Sequence, residues 1–355
     1  MIRIISDVHA ANHEAFGGMW KDGLNVRAAK IIDAVKRATK SLEKGDTLII
    51  AGDLFDTRKP DPAVAWAISE LLAQLMEQRV FVTILLGNHE LQDSHGSGDN
   101  ALRYLERTRA QILYETTYDE LEGFRFLFVP FRRGNAENFI QKESDSYKDS
   151  AINFVIGHYG IAPKESPLWM REAEDYISEA LLLKLFPEST VLFGHHHVRS
   201  KYSNGKLMQI GSLCPVGFGD KGPNGFGTIL DITNGEVSFR EDKGVRFIEL
   251  INMNILEDLP AALPYGAFLR LPEPPEEKVA AKLEEGGFSW KIIPRKKTED
   301  RAIKQASQSS VKPDSDFVVA SIKEYINTMP NQKDLSKDKL NERAKALWEK
   351  AQNSA

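Results

Sequence analysis

Short apolar runs alternate with amphipathic stretches through the first part of the chain. Residues 2–5 read as a brief buried strand. Residues 25–43 carry Ile31, Val35, Ala38 and Leu42 at helical spacing, so the pattern predicts a helix with one buried face. A second strand at 47–51, a helix at 62–77 and a strand at 80–86 rich in β-branched residues follow. Further strands are predicted at 124–129, 152–156, 190–193 and 226–231. This alternation points to an α/β sheet with right-handed crossovers.

The pattern changes near Gly244. Strands at 246–253, 267–271 and 289–294 with a short helix at 276–285 read as a small separate α/β unit. Residues 297–313 are polar and poor in large apolar side chains, as in a linker. Two amphipathic stripes follow within 314–355. One is Val318, Ile322, Tyr325, Ile326 and Met329, ended by Pro330; the other is Leu340, Ala344, Leu347, Trp348 and Ala351. Such helices can close on themselves or on the core, or can dock a partner. The expected organisation is therefore 1–244, 245–296, a linker at 297–313, and helices at 314–355.

Composition narrows the class. Of 355 residues, 42% are hydrophobic and 27% charged, enough for a substantial core. The apolar run at the N-terminus is too short for a signal peptide, and no segment reaches the roughly 20 apolar residues of a membrane span. A single cysteine, Cys214, excludes an internal disulfide and suits a reducing cytoplasm. The formal net charge of -5 gives no electrostatic support for a nucleic-acid partner.

The chemistry lies at strand ends. Asp7 and His9 follow the first strand. Gly52-Asp53-Leu54-Phe55-Asp56 follows the second, and Gly87-Asn88-His89-Glu90 the third. Gly157-His158 and Gly194-His195-His196-His197 close two later strands. Ligands in open α/β sheets gather at the carboxyl ends of strands, so these five loops can converge. Imidazole and carboxylate without thiolate suit a pair of manganese, iron or zinc ions, which a carboxylate can bridge. His13 and His95 read as exposed loop residues, and His196 as pointing away from the ions its neighbours reach.

The order DVH, GDLFD, GNHE, GH, GHHH resembles the calcineurin-like metallophosphoesterases over about the first 240 residues. The resemblance implies a sandwich of two sheets flanked by helices, a small α/β capping domain and C-terminal helices. It implies one metal held by Asp7, His9 and His197, a second held by Asn88, His158 and His195, and Asp53 between them. His89 becomes the general acid, or a group that orients the phosphate, and Asp56 supports the ligands from behind. GDLFD followed by Thr57-Arg58-Lys59-Pro60, and Gly211-Ser212 ahead of the loop 218–222, are similar to the SbcD nuclease branch, also called the meiotic-recombination-eleven family. The compact form is most like bacteriophage members of that branch.

That narrower resemblance implies a homodimeric DNA exonuclease and endonuclease using two divalent ions, Mn2+ first, with Mg2+, Fe2+ or Zn2+ as alternatives. It implies a partner as well: an SbcC-like SMC/ABC ATPase whose coiled coil binds the C-terminal helices. Arg58, Lys59, Arg132, Arg133, Arg295, Lys296 and Lys297, with Arg301 and Lys304, could contact DNA phosphates or stand as solvated charges. Two departures stand out: Glu90 where the family usually has Asp, and Ala10-Ala11 where it commonly has Leu-Gly. Two other readings remain, a free-standing enzyme for cyclic nucleotides or small phosphodiesters, and a non-catalytic scaffold.

Overall fold

The computed structural model describes residues 1–91, 100–147, 150–220, 227–250, 253–263 and 265–293. The predicted linker and C-terminal helices, His95, and the basic residues Arg295, Lys296, Lys297, Arg301 and Lys304 lie outside the described residues. Met1–Pro294 forms one compact unit.

Two six-stranded sheets face each other. The first runs in the order Glu236–Asp242, Gly227–Thr233, Ile2–Ile5, Thr47–Ala51, Phe81–Leu85, Gln111–Leu113. Its last four strands are parallel, and Gly227–Thr233 joins Ile2–Ile5 antiparallel. The second runs Ser200–Tyr202, Leu207–Gln209, Thr190–Gly194, Phe154–His158, Phe124–Val129, Thr117–Leu121, with a parallel centre and antiparallel edges.

Side-chain alternation explains why the inner strands are continuously apolar. Along Thr47–Ala51, Ile49 and Ala51 enter the core between the sheets with Ile2, Ile4, Phe126, Phe128 and Ile156. Leu48 and Ile50 enter the outer core beneath the helices with Ile31, Val35 and Ile68. Both faces are covered, so no polar alternation survives in the sequence. The helix Val26–Thr39 begins where the Asn25 side chain accepts a hydrogen bond from the Ala28 amide, and Pro62–Glu77 begins at Asp61 with proline in its first turn. The second helix matches its predicted span, while the first is shorter than 25–43 at both ends, since Asn25 is its cap and it stops at Thr39.

Several elements carry weak patterns in the sequence and appear only in the structure. The edge strands Thr117–Leu121 and Glu236–Asp242 are mostly half-buried and carry many polar residues. The helix Ala136–Ser146 buries only Ala136, Ile140 and Ser144. Residues beyond 246 form a parallel three-stranded sheet of Phe247–Glu249, Phe268–Leu271 and Ser289–Ile292. It has a core of its own, including Leu256, Leu269, Leu271, Leu283 and Phe288.

Candidate metal centre

The parallel strands of both sheets end at the same edge. The His158 ring donates from Nδ1 to the carbonyl of Ala51 at 2.7 Å, tying the end of Phe154–His158 to the end of Thr47–Ala51. Close approach there requires glycine. A Cβ on Gly52 would collide with the His158 ring, and one on Gly87 with the Asp53 carboxylate. Asp7, His9, Asp53 and His195 all hold left-handed backbone, with φ of 50°, 48°, 51° and 84°. Each such residue costs about 1–3 kcal/mol, a strain typical of functional sites.

The first cluster contains Asp7, His9 and His197, whose donor atoms lie within 4.8 Å of one another. His9 Nδ1 faces the Asp56 carboxylate at 2.9 Å, and His197 Nδ1 faces Asp220 at 3.2 Å. Each outer nitrogen therefore carries the proton, leaving a lone pair on each Nε2. Those two nitrogens are 3.1 Å apart. Two facing lone pairs repel unless a cation lies between them, so this donor set fits a metal ion.

The second cluster repeats the logic. A carbonyl can only accept, so His158 donates from Nδ1, and Nε2 is the nitrogen that faces the other donors. That Nε2 lies 3.0 Å from Asn88 Oδ1 and 3.3 Å from Asp53 Oδ2. His195 donates from Nε2 to Asp175 at 3.0 Å and turns Nδ1 toward Asn88 Oδ1 at 2.9 Å. Asp53 Oδ2 also lies 3.6 Å from His9 Nε2, so one carboxylate oxygen faces both clusters. Its other oxygen accepts from the His89 amide at 3.0 Å.

Without a cation, charge here is balanced by protons. Burial opposes ionisation of Asp53, but His158 holds its carboxyl well below the usual range. Burial would lower the His158 imidazole, yet Asp53 and Asp7 push it up to about 9. Burial likewise opposes a charge on His9, but Asp56, Asp53 and Asp7 raise it.

His89 stands at the mouth, 42% exposed, within reach of His9 and Asp53. Its Nδ1 donates to the Asp56 carbonyl at 2.9 Å, which leaves Nε2 available. Asp56 thus steadies His9 and His89 together. Glu90 is fully buried and accepts from the amides of Phe55 at 3.0 Å and Gly87 at 2.8 Å, locking two ligand loops together.

His13 departs from its expected exposure. Its side chain is only 14% exposed because the ring bonds the His9 carbonyl at 3.1 Å. His196 meets Tyr176 Oη at 3.3 Å. Arg58, Lys59 and Arg133 are exposed, whereas Arg132 lies over the Phe139 ring and 3.7 Å from Glu115.

Three supporting residues carry no sequence signal as such. Asp175 and Asp220 orient His195 and His197 from about twenty residues away along the chain. Gln209, fully buried, accepts from the Ile161 amide and donates to the carbonyls of Phe193 and Gly194 at 2.9 Å, joining the two strand ends that carry His158 and His195. Asp220 sits in the loop that carries the narrower family resemblance, the one hint available.

This fold and donor set define a metal-dependent phosphoesterase. The chain belongs to the calcineurin-like phosphoesterase family, whose model matches residues 1–199. Among curated relatives, the SbcD polypeptide of the SbcCD nuclease of Staphylococcus epidermidis is 25% identical over 239 residues, covering 59% of this chain and 62% of that protein. The DNA double-strand break repair protein Mre11 of Methanopyrus kandleri is 26% identical over 180 residues, covering 44% and 36%. The chain therefore spans about three-fifths and about a third of these relatives. A solved cold-active protein-tyrosine phosphatase of a Shewanella species shares 14% identity, covering 68% of this chain and 79% of that one at a TM-score of 0.37. Among the described residues no helix is long and apolar enough to cross a membrane.

Proposed function

We propose that this chain is a two-metal DNA nuclease that processes DNA ends. The observation that carries the reading is the shared Asp53 oxygen, 3.3 Å from His158 Nε2 and 3.6 Å from His9 Nε2, in a family member whose relatives include nucleases. Asp7, His9 and His197 would hold one divalent ion, and Asn88, His158 and His195 the other, with manganese the expected metal. When bound, the ions polarise the phosphate and supply the charge neutralisation that in-line hydrolysis needs. In its imidazolium form, His89 would give the Nε2 proton to the departing oxygen while Nδ1 stays bonded to the Asp56 carbonyl, or it would orient the phosphate through the same N–H. Asp56, Asp175 and Asp220 would keep His9, His195 and His197 in their productive tautomers, as the Ala51 carbonyl would keep His158.

The organisation that accompanies this reading is a nuclease domain at 1–244, a capping domain at 245–296, a linker at 297–313 and a docking element at 314–355. The expected assembly is a homodimer bound through residues 314–355 to the coiled coil of an SbcC-like ATPase. Among the described basic residues proposed above, Arg58, Lys59 and Arg133 are exposed and would meet DNA phosphate. The acidic net charge of -5 favours the rival reading of a small-phosphodiester enzyme. End-labelled duplex with manganese separates the two. Degradation that chelator and His89→Ala abolish supports the nuclease; intact DNA alongside cleavage of a small diester supports the rival.

A further inference from the structure

We infer that the hairpin around Trp20 is a stacking platform for the bases of a DNA strand entering the metal centre. The inference rests on the nuclease reading above and adds a subsite to it.

The hairpin pairs Trp20–Lys21 with Leu24–Asn25. Asp22 and Gly23 at its tip both have positive φ, 55° and 77°, as a tight two-residue turn requires. The hairpin is fastened to the loop that carries His9. Asn12 donates to the Gly23 carbonyl at 2.9 Å and accepts from the Asn25 amide at 2.9 Å. Asn25 in turn donates to the His13 carbonyl at 2.9 Å, and His13 bonds the His9 carbonyl at 3.1 Å. Its other side rests on Ala63, which a Cβ on Gly23 would meet at 2.7 Å. Ala63 opens the helix that follows the Arg58-Lys59 loop, and that loop continues directly from Asp56.

This rigid hairpin nonetheless turns Met19 and Trp20 outward, 83% and 60% exposed. Trp66, one helical turn beyond Ala63, is 71% exposed. Single exposed apolar side chains are ordinary. Here, however, they stand on two adjoining elements, each hydrogen-bonded or joined in sequence to a candidate ligand loop, and the same segments carry exposed cations, Lys21 on the hairpin and Arg58 and Lys59 in the loop that leads into the helix. Aromatic faces with neighbouring cations are the combination that single-stranded nucleic acid uses, bases on rings and phosphates on cations. Asp22 is the one exposed carboxylate on the hairpin, and it occupies the turn. A second copy of the chain would fit the apolar faces but gives the three cations no role.

The test uses the full-length manganese-loaded protein, a short single-stranded oligonucleotide and bis(p-nitrophenyl) phosphate. Trp20→Ala should raise the oligonucleotide KM by roughly five- to a hundredfold with kcat retained, the range expected for one lost stack. Trp20→Phe should restore most of it. Trp fluorescence of the wild type should quench on adding the oligonucleotide in chelator, and Trp20→Phe should lose that quench. An unchanged KM in Trp20→Ala, in a wild type that does cleave the oligonucleotide, overturns the subsite. A change from dimer to monomer in sedimentation of Trp20→Ala assigns the face to a second copy and also overturns it. If the wild type cleaves the small diester but no oligonucleotide, the nuclease reading itself falls.

Discussion

His158 Nε2 lies 3.3 Å from Asp53 Oδ2, and the two form the buried charge pair around which the centre is organised. The imidazole is pushed up to about 9 because the neighbouring carboxylates outweigh the cost of burial. The metal-free protein therefore carries a proton on the nitrogen through which His158 would bind a metal. Metal binding must displace it. Calorimetry near neutral pH in buffers of differing ionisation enthalpy should show close to one proton released through His158, and His158→Gln should lose that proton. Affinity should rise with pH towards 9. For the metal-free protein the sign is opposite. A histidine raised above its unfolded value adds stability that is fully present below about 6.5 and is lost as pH passes about 9. Pushing pH upward should thus lower the apo melting temperature while tightening metal.

His89 should separate chemistry from metal binding. It touches the Asp56 carbonyl and the rim of the centre, and it is half exposed. His89→Ala should lower kcat by about 10²–10⁴-fold, the usual worth of a general acid. Metal content by elemental analysis should remain that of the wild type. Loss of metal together with activity would make His89 a ligand.

Glu90 is the residue whose departure from the family pattern has a structural explanation. Its two oxygens each take a backbone amide, from Phe55 and from Gly87, so the longer side chain joins two ligand loops. Glu90→Gln replaces one acceptor with a donor and should destabilise by about 1–3 kcal/mol, the cost of a buried unsatisfied amide. Burial, and then the Asp53 charge, push the Glu90 carboxyl up to about 7. An acid raised in the fold gives stability present below its unfolded value near 4.5 and lost as pH rises through about 7. The wild-type advantage over Glu90→Gln in the metal-free protein should therefore shrink from pH 4.5 to 7, read by thermal melting.

Asp175 and Asp220 should tune the ions without creating them. Each accepts from the far nitrogen of one histidine, His195 or His197. Asp175→Asn and Asp220→Asn should each weaken metal affinity about 10–100-fold. A complete loss of binding would mean that these carboxylates reach the ions themselves.

The candidate donors stand out in the sequence because each follows an apolar run with a glycine-marked polar signature: Asp53 after 47–51, Asn88 after 80–86, His195 after 190–193. Asp175 and Gln209 were not. Their partners are brought to them only by the pairing of the second sheet, and neither residue stands at a recognisable spacing from the histidine or strand end it supports. Buried central strands were read to within two residues, while polar edge strands such as Thr117–Leu121 gave no alternation strong enough to find. His13 looked exposed because its loop is polar, yet its ring folds back on the His9 carbonyl. The amphipathic stripes after 314 lie outside the described residues and keep the standing of a proposal.

The most direct test of the two-metal centre is the metal count. Wild-type protein equilibrated with manganese and freed of excess should bind two ions per chain, and Asp53→Asn should retain fewer than one. That result follows if one carboxylate oxygen serves both clusters. A wild type that binds a single ion, or an Asp53→Asn protein that still holds two, would contradict it.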